Sequence, residues 1–209
     1  MDDDCGDTKR EEKMIDYKAD IVEYLKSEIA VIQKLDAEAI NDALNLLDQT
    51  RLNRKRVYVF GNGGSAATAS HMQNDFNKGV SEWIEPKFRF QCLNDNIATV
   101  MAIANDISYD EIFRFQLKGQ LDPGDVVLAI SGSGNSKNVI RAVEYARSFG
   151  NQIIGVTGFD GGKLRQLSDI SLHVPVASMQ ITEDVHMLFD HLMMSMFYEK
   201  LCIKKYSEK

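Results

Sequence analysis

The sequence predicts an α/β protein built on a mostly parallel sheet with helices on both faces. Three observations predict it. Five short runs rich in β-branched and aromatic residues alternate with segments of helical periodicity, the pattern of strands joined by helical crossovers. Two of those runs end in glycine- and serine-rich loops, "GNGGS" (61–65) and "SGSGNS" (131–136), and each loop opens a helix. A helical stretch with no strand of its own precedes the first run.

Each element has its own warrant. Residues 1–13, "MDDDCGDTKREEK", are charged and lack an apolar core; they read as a disordered leader, ahead of a single domain over residues 14–205. Between Met14 and Leu47, Ile15, Ile21, Val22, Leu25, Ile29, Ile32, Leu35, Ile40, Leu44 and Leu47 fall at helical spacing. They give two extra N-terminal helices, broken near Asp36, that pack on the sheet or on another subunit. "RVYVF" (56–60) is the first strand, followed by a helix over 65–76. "KFRFQCL" (87–93) is the second, with helices over 94–104 and 109–117. "DVVLAI" (125–130) is a central strand, and the helix after it runs to residue 149. "QIIGVTG" (152–158), the short helix of "GGKLRQL", the strand "DISLHV" (169–174) and a long helix over 182–202 complete the chain.

Composition excludes several classes. At 44% hydrophobic and 26% charged, 209 residues suit one globular domain. A net charge of −7 argues against nucleic-acid binding. The one dense basic run, "RLNRKR" (51–56), reads as a solvated helix end and loop. No apolar run reaches the roughly 18 residues of a membrane span, and no signal-peptide pattern is present. Cys5, Cys92 and Cys202 are odd in number and widely spaced, which fits reduced thiols and a cytoplasmic setting.

In such a sheet, ligands sit beyond the carboxyl ends of the strands, which selects the two glycine-bearing loops. "GNGGSA" formally matches a dinucleotide fingerprint, but the acid at the end of the second strand, Asp95, lies about 34 residues after Gly61 instead of about 20. No lysine follows the glycines, so the Walker pattern is absent too. Ser131, Ser133 and Ser136 place three hydroxyls on the turn that opens a helix, and Ser65 opens the other. Hydroxyls and free amides there bind a phosphate monoester, helped by the helix dipole. The competing reading is helix capping, which describes Ser136 alone best.

The reactive candidates lie on two helices. His71 and Asp75 are i, i+4 and share a face, the arrangement of a metal site or an acid–base pair, and also of an ordinary polar helix face. The last helix carries Glu183, Asp184, His186, Asp190 and His191. His186 and Asp190 are spaced to pair with each other. Glu183 and His191 are about 12 Å apart along a helix, so they meet one site only if Glu183 reaches inward from the helix entrance. Periodicity does not separate His191 from His186. His173 reads as structural, and Trp83 carries no assigned chemistry.

Taken together, "FGNGGSAATASH" (60–71), "AIANDISYDEIF" (102–113), "GDVVLAISGSGNS" (124–136), "GVTGFDGG" (155–162) and "EDVHMLFDH" (183–191) resemble the sugar isomerase (SIS) domain family, and within it the bacterial phosphoheptose isomerases, over about residues 14–202. The resemblance implies a Rossmann-like five-stranded parallel sheet sandwiched by helices, assembled as a homotetramer with active sites at subunit interfaces. It implies a ketose–aldose isomerase that converts sedoheptulose 7-phosphate to a heptose 7-phosphate through an enediol. Asn62, Gly63, Gly64 and Ser65 then belong to the substrate loop, Asn105 and Asp106 to a substrate-contacting polar pair, and Ser131, Gly132, Ser133 and Ser136 to the phosphate loop. His71, Asp75, Glu183 and His191 would hold one zinc ion, with Asp75 and His191 sharing the base and acid roles and Glu183 also meeting substrate.

The departures from the family pattern are specific. Asp75 stands where the family has a glutamate one methylene longer. Glu183 replaces a glutamine. "QITED" replaces a more basic stretch, and Lys78 stands near the position of an arginine. A second group resembles the chain as well: the replication initiator-associating proteins, tetrameric scaffolds of the same fold that lack the carboxylate on the first loop's helix. Asp75 and His191 favour the enzyme.

Overall fold

The computed structural model describes residues 14–202. The expected leader (1–13) and the domain's expected final residues (203–205) lie outside the described residues. Five strands, β1 (Val57–Gly61), β2 (Phe90–Cys92), β3 (Val126–Ser131), β4 (Gln152–Thr157) and β5 (Ile170–His173), form one all-parallel sheet in the order β2-β1-β3-β4-β5. β1 and β3 are buried along their whole length, which is why they read as unbroken apolar runs.

Strand alternation divides the core into two layers. Val57, Val59, Val126, Leu128 and Ile154 face one side. There α2 (Ala37–Leu52), α3 (Gly64–Asn74) and α8 (Met179–Phe197) cover them through Leu47, Met72, Val185 and Phe189. Tyr58, Phe60, Val127, Ala129 and Ile153 face the other side. There α4 (Ile97–Asp106), α5 (Ile112–Leu117), α6 (Lys137–Ser148) and α7 (Gly162–Leu167) supply Ile103, Phe113, Val143 and Leu164.

The strand order reverses direction between β1 and β3, the topological switch point where open α/β sheets place ligands. Gly61 pairs with Ile130 across that boundary, so the glycine loop and the serine loop open side by side.

α1 (Lys18–Ile32) and α2 are the extra N-terminal helices, and the break falls where the sequence puts it. Asp36 caps α2, its carboxylate accepting from the backbone N–H groups of Glu38 at 3.0 Å and Ala39 at 3.2 Å. α1 buries only Val31 and leaves Ile21, Leu25 and Ile29 exposed. The Tyr24 hydroxyl ties it to α8 by donating to Asp184 Oδ2, a bond that pushes the phenol up to about 12.

Several boundaries differ from the sequence reading, each for a local reason. β2 is shorter than 87–93: its backbone ladder to β1 reaches only from the Arg89 carbonyl to the Leu93 N–H, both at 3.0 Å, and beyond those bonds side chains take over. Ser81 Oγ accepts from Phe88 N–H at 2.9 Å, and the Asn94 amide bonds both the N–H and the carbonyl of Gly61, at 3.2 and 2.9 Å. α3 stops at Asn74 and continues as a π-helical turn, Asp75–Gly79. α8 starts at Met179, ahead of the expected 182, and ends in a π turn, Tyr198–Cys202. The "RLNRKR" run is not wholly solvated. Arg51 is buried, its guanidinium bonded twice to Asp48 Oδ1 and once to the Pro86 carbonyl, so its charge is fully partnered.

Candidate active site

α3 and α8 run side by side in the same direction, and the candidate residues gather at the two ends of their contact. At the first end, Gly63 precedes α3 with φ +54, a conformation open to glycine at little cost. Gly64 begins the helix. A Cβ there would lie 2.5 Å from the Glu183 carboxylate, so the missing side chain lets that carboxylate rest on the helix's first turn.

Asn62 and Asn138 exchange reciprocal amide hydrogen bonds of 2.9 Å, and the Tyr109 hydroxyl donates to Asn62 Oδ1 at 2.9 Å. Across the switch point, Ser131 Oγ and Ser136 Oγ lie 3.2 Å apart, and Ser133 Oγ accepts from Asn135 N–H. Asn62, Ser65, Ser131, Gly132, Ser133, Ser136, Met179 and Glu183 line a cavity of about 120 Å³. That is well below the 300 Å³ or more of a pocket enclosing a whole ligand, and suits a single phosphate group. A larger cleft of about 510 Å³, between α2 and β5 beside Lys34, Asp42, Arg165 and His173, shares no residue with this cavity.

At the second end, His71 on α3 meets His191 on α8, Nε2 to Nε2, at 3.1 Å. Asp75 Oδ2 lies 3.4 Å from His71 Nε2 and 4.0 Å from His191 Nε2, while Asn74 Nδ2 donates to Asp75 Oδ1 at 3.0 Å. Asp75 is buried and opens the π turn, a distortion common at functional sites. Asp190 is fully buried, and both its carboxylate oxygens are without a hydrogen-bond partner. Burial, then the charge of Asp75, raises its carboxyl to about 7.

His71, Asp75, Asp190 and His191 offer ligand atoms all within 4.8 Å of one another. Tetrahedral zinc with bonds of about 2.0–2.1 Å sets its ligand atoms about 3.3 Å apart. The measured 3.1, 3.4 and 4.0 Å come close to that edge, so two imidazoles and buried carboxylates fit the ion.

Most residues predicted from sequence fall into one of these two groups. Two fall in neither, and a third falls in the group other than the one expected. Asn105 and Asp106 sit exposed at the end of α4, paired with each other at 2.8 Å, and line neither group. Glu183, expected among the metal ligands, is absent from the four-donor group and lines the serine cavity instead. His186 is fully buried; burial, against the pull of the Thr157 backbone, holds it down to about 4, and it does not bond Asp190. His173 bonds Thr157 Oγ1 at 3.0 Å, and burial lowers it too. Asn138, Tyr109 and the placement of Asp190 were not singled out beforehand. Asp190 had a signal: it falls on the stripe of α8 that carries Val185, Phe189 and Met193 into the core.

A doubly wound sheet with a serine loop and a glycine loop at its switch point defines the class. The chain belongs to the SIS domain family, whose model matches residues 17–158. It is 37% identical to the phosphoheptose isomerase of Coxiella burnetii (strain RSA 331 / Henzerling II) over 188 residues, 88% of this chain and 93% of that one. Its fold matches the phosphoheptose isomerase of Neisseria gonorrhoeae with a TM-score of 0.80 at 29% identity, over 88% of this chain and all of that one. The Francisella tularensis phosphoheptose isomerase matches with a TM-score of 0.81 at 27% identity, over 89% of this chain and all of that one.

Proposed function

We propose that this protein is an aldose–ketose isomerase that converts sedoheptulose 7-phosphate to a heptose 7-phosphate through an enediol. One observation carries the reading: an anion subsite and an acid–base group lie at opposite ends of one helix–helix contact. Ser65 and His71 are separated by about 9 Å along α3, and Glu183 and His191 by about 12 Å along α8. An extended seven-carbon sugar phosphate spans that gap; a three-carbon one does not.

The phosphate takes hydrogen bonds from Ser65, Ser131, Ser133 and Ser136 and from the amides of the glycine and serine loops, where two helix dipoles favour negative charge. Asn62, held by Asn138 and Tyr109, orients the chain of hydroxyls together with Gly63, Gly64 and Gly132. Glu183 is acceptor-only when ionised, so it takes hydrogen bonds from sugar hydroxyls beside the phosphate. Binding energy from the phosphate then fixes the carbonyl end for reaction.

Asp75 takes the proton from the carbon next to the carbonyl. Asn74 donates to its Oδ1 at 3.0 Å, which fixes the orientation of the carboxylate. His191 delivers a proton to the carbonyl oxygen on C2 and takes one from the C1 hydroxyl, while Asp75 returns its proton to C2 as the enediol collapses to the aldose. Zinc held by His71, Asp75 and His191 would act as a Lewis acid toward the carbonyl.

The exposed stripe Ile21, Leu25 and Ile29 supports packing of α1 against other copies in a homotetramer. In that assembly Asn105 and Asp106, remote from the cavity in their own chain, meet substrate in a neighbour's site. Free, buried Cys92 and Cys202 support a cytosolic setting. Among the described residues no helix is long and apolar enough to cross a membrane. The scaffold alternative is not favoured, because the relatives are isomerases and the acid–base group is assembled.

Asp75→Asn and His191→Ala test the reading. Each lowers kcat at least about 100-fold, the usual contribution of a positioned acid or base, with the circular dichroism spectrum unchanged. Near wild-type turnover by both variants overturns it.

A further inference from the structure

We infer that Asn135 is a positioning residue for the phosphate subsite: its side chain clamps the serine loop to the segment 158–164, and the clamp aims the Ser133 hydroxyl and amide at the substrate phosphate. The inference rests on the reading of the serine loop as the phosphate subsite. It gives a role to the "GFDGG" loop (158–162), which stands outside both groups of site residues. Every contact in the clamp lies within one chain, between the loops that follow the paired strands β3 and β4.

The Asn135 amide bonds on both sides. Its Nδ2 donates to the Ser133 carbonyl at 3.0 Å, and its Oδ1 accepts from the Lys163 N–H at 3.0 Å. Lys163 lies in the first turn of α7, where a backbone N–H has no acceptor within its own helix. Two backbone bonds run beside this one. Gly158 N–H donates to the Gly132 carbonyl and Leu164 N–H to the Gly134 carbonyl, both at 2.9 Å. Bare backbone makes the approach possible. Gly134 sits at φ +65, and a Cβ there would lie 1.9 Å from the Gly161 carbonyl oxygen; one on Gly162 would lie 2.5 Å from Asn135 Nδ2.

These bonds decide what the serine loop presents to an anion. Across a trans peptide the carbonyl and the following N–H point in opposite directions. Drawing the Gly132 carbonyl toward Gly158 therefore turns the Ser133 N–H away from the 158–164 segment and removes a carbonyl that would repel phosphate. Drawing the Gly134 carbonyl toward Leu164 turns the Asn135 N–H back to Ser133 Oγ, at 3.2 Å. With Oγ accepting there, the one hydroxyl proton of Ser133 is left to donate to a phosphate oxygen. Ser133 lines the serine cavity and Asn135 does not, so Asn135 acts through Ser133.

The test measures binding of sedoheptulose 7-phosphate and of inorganic phosphate by isothermal titration calorimetry, and turnover of the unphosphorylated ketose by steady-state kinetics. It uses the full chain as wild type, Asn135→Ala, Lys163→Pro, Ser131→Ala and Glu144→Ala. Asn135→Ala weakens both phosphate ligands about tenfold or more, the loss of one hydrogen bond to a charged group. It keeps the circular dichroism spectrum and matches wild type on the unphosphorylated ketose. Lys163→Pro deletes the N–H on the other side of the clamp, at a helix start where proline costs least, and reproduces that pattern. Glu144→Ala breaks the Lys163–Glu144 ion pair, which Lys163→Pro also loses, and binds both ligands as wild type does.

Wild-type phosphate binding in Asn135→Ala and Lys163→Pro, with Ser131→Ala weakened, overturns the clamp while the phosphate subsite stands. Equal losses on the phosphorylated and unphosphorylated sugars also overturn it, by making Asn135 a structural residue only. If Asn135→Ala does not fold, Lys163→Pro decides by the same comparison. If the wild type binds neither sedoheptulose 7-phosphate nor inorganic phosphate, the subsite reading falls and the clamp falls with it.

Discussion

Ser131→Ala probes the anion subsite at its most buried hydroxyl. Ser131 ends β3 beside β1, is 4% exposed, and has its Oγ 3.2 Å from Ser136 Oγ. The substitution removes one hydroxyl and leaves Ser136 without that neighbour, and it empties less than a methyl group of space. A hydrogen bond to a charged group contributes about 1.5–3 kcal/mol. At 1.36 kcal/mol per factor of ten, kcat/KM for sedoheptulose 7-phosphate should fall about 10- to 150-fold. Part of the loss should appear in kcat, because remote binding energy positions the reacting end. The unphosphorylated ketose makes no use of the subsite, so the variant should match wild type on it. Steady-state kinetics with both sugars checks this. A loss below about twofold on the phosphate ester, or an equal loss on both sugars, refutes the phosphate role of this loop.

Two further outcomes follow from the buried polar groups. Asn138→Ala breaks the bond its Oδ1 accepts from Val139 N–H and both amide bonds to Asn62, the latter two together worth about 2 kcal/mol at about 1 kcal/mol per bond. Urea denaturation of Asn138→Ala, Asn62→Ala and the double variant should then give a coupling near that value, within the 0.5–3 kcal/mol range of residues in contact; additive effects contradict the network. His186, held down to about 4 by burial, stays neutral in the fold while the unfolded chain takes a proton below about 6.5. It therefore removes stability as pH falls from about 6.5 toward 4, roughly 2 kcal/mol by pH 5. Asp190, raised to about 7, acts in the opposite direction, so the measurement compares variants. Metal-free His186→Leu should lose less stability than wild type between pH 7 and pH 5, and identical pH slopes would exclude a buried neutral imidazole.

Much of the fold was legible because parallel strands buried on both faces leave unbroken apolar runs, as in 126–131, and because Asp36 and the two glycine-bearing loops punctuate the helices. The short β2 was not, because its ends are finished by Ser81 and Asn94, side chains that no period reveals. At the site, local signals sufficed where one turn supplies several groups, as in "SGSGNS". They failed where partners come from distant segments. Asn62 is held by Asn138 and Tyr109, and nothing near Asn62 in the chain announces either. Spacing alone also could not divide the acids of α8. Glu183 and Asp190 separate only once helix rotation sends one to the serine cavity and the other into the core beside His71 and Asp75.

The central claim is that this fold isomerises a seven-carbon sugar phosphate by proton transfer at Asp75 and His191. Purified protein incubated with sedoheptulose 7-phosphate in deuterium oxide, followed by NMR, tests it directly. The account predicts a growing aldose heptose 7-phosphate signal with deuterium at the carbon next to the carbonyl, because the enzyme's base exchanges its proton with solvent. Binding of the sugar phosphate with neither aldose nor deuterium exchange would contradict it and make the protein a sensor.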